Sequence, residues 1–174
     1  MLKNNFRVSI QTKSPLVTRD VDLLGKYTSL VDVGFTITTL DPEVSRLIEP
    51  GAPPPPERAR ALRLVSRAGI YTWVFIGPII RGINDSRKNL EEIIGLAAET
   101  DSKVYYDYLH IKPGLRESMR EIIDKNPKVF VMGAQWRSGV EGLLRDLCRK
   151  YIVDCKAAFP QEKQTSQYKI TQYL

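Results

Sequence analysis

One run, TWVFIGPI at positions 72–79, does most to constrain how this chain folds. Its residues are mostly apolar, so a strand formed there needs cover on both faces. Strands of that kind lie inside parallel sheets, where helices cross over from one strand to the next. The rest of the chain supplies the alternation this requires.

Positions 7–12 (RVSIQT) place Val8 and Ile10 on one face of a strand, and 31–36 (VDVGFT) form a second that runs on into Ile37. Positions 103–109 (KVYYDYL) make a fourth strand, and 128–132 (KVFVM) read as another short one. Helical stretches lie between them. Thr18 can cap a helix carrying Val21, Leu23 and Leu24. Pro56 suits the first turn of a helix with Ala61, Leu62, Val65 and Ala68 on one face, which stops at Gly69. Asp85 or Ser86 can cap the next, which buries Leu90, Ile93, Ile94 and Ala97. Helices over 114–126 and 140–151 complete the set, the second turning Leu143, Leu144, Leu147 and Cys148 inward.

The expected fold is therefore α/β: a mainly parallel, curved sheet with helices on its outer face and an open inner face. At 174 residues the chain is shorter than a full eight-stranded barrel of ~250 residues, so the expectation is a partial (β/α) barrel. Positions 1–155 read as one domain and 156–174 as a polar tail. Only six residues precede the first strand, and they read as the end of a helix.

Composition narrows the function classes. No run approaches ~18 apolar residues, so no membrane is expected as a partner. The two cysteines, Cys148 and Cys155, do not make a disulfide framework, and the chain reads as cytoplasmic, with Cys148 packed inward and Cys155 an exposed thiol. A net charge of +6 favours polyanionic partners, nucleic acid among them, but the basic residues are spread out and mixed with acids. Asp32, Asp41 and Asp107 read as isolated acids, and His110, the single histidine, does not make a metal site.

Several fragments stand in a recognisable order: QTKSPLVTRD at 11–20, GFTITTLD at 34–41, LIEPGAPPPPER at 47–58, SRAGI at 66–70 and GPIIRGIND at 77–85. Together they resemble the radical S-adenosylmethionine (SAM) superfamily, and within it the spore photoproduct lyase-like group also called DNA repair photolyases. The likeness fades after Asp107. In that family a CxxxCxxC segment at the first strand binds a [4Fe–4S] cluster through three thiolates. No such motif occurs here. The resemblance implies that this sequence corresponds to strands three to six of the family's barrel, and that the cluster-binding segment lies outside it.

The resemblance also assigns site residues. Lys13, in its Thr-Lys-Ser context, corresponds to a lysine that approaches the SAM carboxylate; without the family it reads as a solvated loop lysine. Thr36, often serine in the family, corresponds to a hydroxyl on the SAM ribose or methionine moiety. Thr38 lies beside it across Ile37, and both equally suit an ordinary strand. Gly77 and Pro78 mark where backbone runs beside the adenine, or simply a bend at a strand end. Arg81 stands where the family often has proline. Glu49 and Arg58 are expected to pair and fix the proline loop between them. Tyr105, Tyr106 and Tyr108, with Lys103 and His110, suit base stacking or plain sheet packing.

Two functional expectations result. The first is part of a radical SAM enzyme that cleaves SAM reductively and abstracts hydrogen, inactive alone and holding no cofactor by itself. The second is a non-catalytic binding module, with nucleic acid as the partner its charge favours. An unpaired sheet edge at 7–12 adds the expectation of a homo-oligomer.

Overall fold

The computed structural model describes residues 1–159. Strands β1 (Val8–Thr12), β2 (Val31–Thr36), β3 (Tyr71–Ile79), β4 (Lys103–Tyr108) and β5 (Cys155–Ala157) form one sheet in chain order. Every neighbouring pair is parallel. The connections carry helices α1 (Val21–Leu24), α2 (Pro42–Ile48), α3 (Pro55–Arg67), α4 (Arg87–Glu99), α5 (Leu115–Ser118), α6 (Arg120–Lys125) and α7 (Ala134–Tyr151).

One face of the sheet is closed by α3, α4 and α7. Val33 and Phe35 of β2, Val74 and Ile76 of β3 and Val104 of β4 are fully buried there. They share a core with Leu62 and Val65 of α3, Leu90, Ile93 and Ile94 of α4, and Leu144 and Leu147 of α7. Each such aliphatic side chain contributes roughly 1.5–3 kcal/mol through the area it removes from water, so this layer dominates stability. Helix starts are fixed locally: Asp41 accepts from Glu43 N at 2.8 Å to open α2, and Ser86 accepts from Asn89 N at 3.2 Å to open α4. A second, smaller core of Ile80, Leu109, Met119, Ile122 and Val129 sits past the carboxyl ends of β3 and β4.

Several sequence expectations need correction. Residues 128–132 are no strand; Val131 N bonds back to Lys128 O in a turn, and Val129 is buried in the second core. The fifth strand is instead the short β5, so Lys156 and Ala157 belong to the sheet rather than to a tail. The remainder of the expected tail, from residue 160, lies outside the described residues. Helix 114–126 is broken at Met119 into α5 and α6, and α7 begins at Ala134 rather than Val140. Thr18 caps nothing: its Oγ1 donates to Pro15 O at 2.8 Å inside a 3-10 turn opened by Ser14, and Leu23 is 51% exposed. Residues 1–6 hold only a 3-10 turn, Leu2–Asn4. Cys148 and Cys155 are not separate thiols but a disulfide, Cα–Cα 6.2 Å.

β3 departs from its apolar reading in an informative way. Its helix-side residues are buried, but Tyr71 is 43% exposed and Trp73 and Phe75 are only partly covered. Three aromatic rings on alternate positions count as apolar in sequence, yet here they line the open face.

Candidate functional site

The open face is a groove of about 870 Å³. Its floor is built by alternation: Ser9 and Gln11 from β1, Asp32 from β2, Tyr71, Trp73, Phe75 and Gly77 from β3, Tyr105 and Asp107 from β4. Two glycines let the rings lie down. A β-carbon at Gly34 would meet the Trp73 indole at 2.2 Å, and one at Gly77 would meet the Phe75 ring at 2.3 Å. The Trp73 indole is pinned by donating from Nε1 to Asp32 Oδ1 at 2.7 Å, and Tyr105 meets it edge-on with centroids 5.6 Å apart. Ser9 Oγ donates to the same carboxylate oxygen at 2.6 Å. Asp32, expected to be isolated, thus ties β1, β2 and β3 together.

At the carboxyl end of β2 a charged cluster replaces the rings. Arg58 of α3, 1% exposed, donates from Nη1 to Glu49 Oε2 at 2.5 Å and to Thr36 O at 3.1 Å, and from Nε to Pro53 O at 2.7 Å. The expected Glu49–Arg58 pair is therefore present, and it clamps the proline loop onto the strand end. Lys13 Nζ approaches the other oxygen of Glu49 at 3.2 Å with its side chain 43% exposed. Two cations face one carboxylate, leaving one unit of positive charge uncompensated within the cluster. Arg58 Nη2 and Thr38 Oγ1 are buried without a hydrogen-bond partner among the described residues.

Asn84 organises the neighbouring strand ends. Fully buried, it donates from Nδ2 to Thr38 O and to Pro78 O, each at 3.0 Å, and accepts from Ile80 N at 2.6 Å. Asn89 Nδ2 adds a bond to Thr38 O at 3.1 Å. The turns after β2 and β3 are held as one unit. Asp85 is no helix cap; it accepts from Gly82 N at 2.8 Å and from Trp136 Nε1 at 2.8 Å.

The residues singled out in the sequence therefore fall into two groups. Gly77 and Pro78 line the groove, although the space above Gly77 is filled by the Phe75 ring. Lys13, Thr36 and Thr38 lie at the carboxyl ends of β1 and β2, where Gln11 Nε2, itself on the groove, donates to Thr36 Oγ1 at 3.3 Å. Asp107 of β4 and His110 just past that strand, read separately in the sequence, meet at 2.9 Å where both line the groove. Tyr105 faces the groove, whereas Tyr106 and Tyr108 pack on the helix side, where burial, reinforced by the charge of Glu141, pushes their hydroxyls up from the ordinary tyrosine range. The period-two spacing of Tyr71, Trp73, Phe75 and Gly77 was the signal for the floor, masked by its apolar composition.

The residues present do not suit a [4Fe–4S] cluster. Such a cluster needs several thiolates, and both cysteines of this chain are joined to each other at the sheet edge. Among the described residues no group of three His, Cys, Asp or Glu could hold a metal ion, and no helix is long and apolar enough to cross a membrane.

Comparison with known proteins agrees with this architecture. The uncharacterized protein MJ0683 of Methanocaldococcus jannaschii is 37% identical over 115 residues, covering 64% of this chain and 42% of that protein. The uncharacterized protein ORF301 of Acidianus two-tailed virus is 32% identical over 124 residues, 69% of this chain and 41% of the relative. The chain thus spans between a third and about two fifths of the length of the curated relatives it matches. Among solved structures, a spore photoproduct lyase mutant with bound AdoMet and dinucleoside spore photoproduct superposes with a TM-score of 0.64 at 17% identity, over 88% of this chain and 51% of that one. Streptococcus suis SuiB bound to S-adenosylmethionine gives 0.60 at 11% identity, over 91% and 34%. These likenesses establish the fold, a part of a TIM-barrel-like sheet. With the Radical SAM superfamily profile matched across residues 1–97, through β1, β2, β3 and most of α4, the chain belongs to that superfamily.

Proposed function

We propose that this chain forms the SAM-holding arc of a radical SAM enzyme: it contributes the strand ends that grip SAM, and the iron–sulfur cluster is held by other residues than its own. The observation that carries this is the cluster at the ends of β1 and β2. One carboxylate, Glu49, faces both Lys13 and Arg58, so the site retains positive charge suited to an incoming carboxylate. In this reading Lys13 exchanges Glu49 for the SAM carboxylate, Thr36 and Thr38 offer hydroxyls to the methionine and ribose parts, and the backbone at Gly77 and Pro78 borders the adenine. SAM, when bound beside a reduced cluster, supplies the radical chemistry. By itself the chain is inactive, because the donors for that cluster are missing from its sequence.

Saturation-transfer NMR with SAM and the purified chain tests this. Binding should be measurable and should weaken about tenfold in Lys13→Ala, the loss of one charge-assisted bond. Binding that ignores the substitution, or no binding at all, would remove the assignment.

A second reading rests on the row of rings. Tyr71, Trp73, Phe75 and Tyr105 on an open sheet face suit stacking on unpaired bases, and the net charge of +6 favours a polyanion. Asp32 and Asp107 on the same floor oppose it. Salt-dependent binding of single-stranded DNA that Trp73→Ala abolishes, with no SAM binding, would favour a binding module over an enzyme.

A further inference from the structure

The Cys148–Cys155 bond is a covalent tie placed where the sheet is weakest. Cys148 is in the last turns of α7, and Cys155 is the first residue of β5. Between them the chain turns through Ile152 in the left-handed conformation, φ 57°. β5 has three residues and, among the described residues, pairs with β4 alone at the edge of the sheet. Two backbone bonds flank it, Val104 N to Asp154 O and Ala158 N to Tyr106 O, each 2.9 Å. So short a strand has little of its own to hold it in place. Its position bears directly on the site, because Ala158 and Phe159, the next two residues, form part of the groove wall.

The bond is also reachable. A cleft of about 610 Å³ on the helix side is lined by both cysteines together with Glu141, Arg145, Arg149 and Asp154. Cys155 is only partly covered. Arg145 and Arg149 on that cleft favour the thiolate that leaves during exchange, against the opposing charges of Glu141 and Asp154.

We propose that Cys148–Cys155 is a thiol–disulfide exchange site, a redox clasp that fixes β5 and through it the Phe159 side of the groove. The reductant is a dithiol. One of its thiolates attacks Sγ of Cys155, forming a mixed disulfide and releasing the Cys148 thiolate, which takes up a proton. The second thiol of the dithiol then attacks its own sulfur of the mixed bond, releasing Cys155 as a thiol. The protein gains two electrons and two protons, and the dithiol leaves as a disulfide. Reduced, β5 is held by its few backbone bonds, the partial packing of Val153 and Cys155 against the core and the exposed Lys103–Asp154 ion pair (3.3 Å), and the sheet edge at β4 opens. The clasp operates whether or not the chain binds SAM.

The test uses the full chain, air-oxidised or treated with dithiothreitol without denaturant, then labelled with iodoacetamide and read by hydrogen exchange with mass spectrometry. Oxidised protein should take no label and reduced protein two. The amide of Ala158 should exchange at least about tenfold faster after reduction, while β2 and β3 stay protected, the signature of a local opening. A Cys148→Ser/Cys155→Ser variant should exchange like the reduced form and ignore dithiothreitol. Three results would each overturn the proposal: two free thiols in the oxidised protein, reduction that needs denaturant, or an Ala158 rate that reduction leaves unchanged. Loss of protection throughout the sheet would overturn it too, since the bond would then be a general staple.

Discussion

The indole of Trp73 rests over Gly34 of the adjacent strand, in register with it, so that a β-carbon at position 34 would stand 2.2–2.4 Å from three ring atoms. No real contact is that short. Gly34→Ala must therefore lift the ring and break its bond to Asp32. The expected loss is ~1–3 kcal/mol, the usual cost of overpacking, with a shift in tryptophan emission. Urea denaturation monitored by fluorescence checks it, and an unchanged midpoint would mean that the ring has room to move.

Arg58 and Lys13 share Glu49 but should behave differently. Arg58→Ala strands a buried carboxylate and frees the proline loop, so about 3–5 kcal/mol of stability should go. Lys13 is half out in solvent, and Lys13→Ala should cost under ~1 kcal/mol. Thermal melts of the two variants decide this; equal destabilisation would show that the two ion pairs act as one.

Anaerobic incubation with iron and sulfide should leave the purified chain colourless, with or without prior reduction of its disulfide, because two cysteines are too few for the cluster. About four irons per chain, by iron assay, would count against the donor argument.

Alkaline titration offers a reading of the helix-side core. Burial, helped by the charge of Glu141, raises the Tyr108 and Tyr106 hydroxyls above the ordinary 10.0. A folded value raised above the unfolded one favours the protonated form in the native state. The stability it gives is whole below pH 10 and is lost as pH climbs beyond that. Absorbance of tyrosinate should show Tyr106 and Tyr108 ionising late, and Tyr108→Phe should remove one late step.

At the other end of the sheet β1 pairs with β2 on one side, and among the described residues no strand pairs with its other side. We propose that this edge pairs with a second copy of the chain, giving a homo-oligomer. Light scattering should report a dimer or larger species, and amides of 8–12 should be protected from exchange. A monomer with those amides still slow would show that the chain covers its own edge.

The four longer strands and the helix-side core were legible because periodic apolar residues carry them. The missed elements lack that signal. β5 has three residues, one of them Lys156, and its place is set by pairing with β4. The 128–132 run is short, apolar and rich in β-formers, yet a local second core captured Val129. Gly133 and Gly139 bracket the early turns of α7 and disguise them. Motif likeness drew attention to Lys13, Thr36, Thr38, Gly77 and Pro78, whereas Asp32 and Asp107 find partners only once strands are placed side by side. The disulfide was invisible because nothing in a seven-residue separation says that a helix end and a strand start will meet.

The two faces of the sheet are finished to different degrees. Val33, Val74 and Val104 answer to helices that the chain itself provides, so the integrity of the scaffold is secured on that side. Ser9, Gln11, Tyr71 and Tyr105, on the other, touch the strands beside them but, among the described residues, no covering helix. Substitutions that keep the helix-side layer should therefore leave the scaffold folded, whatever they change on the open face.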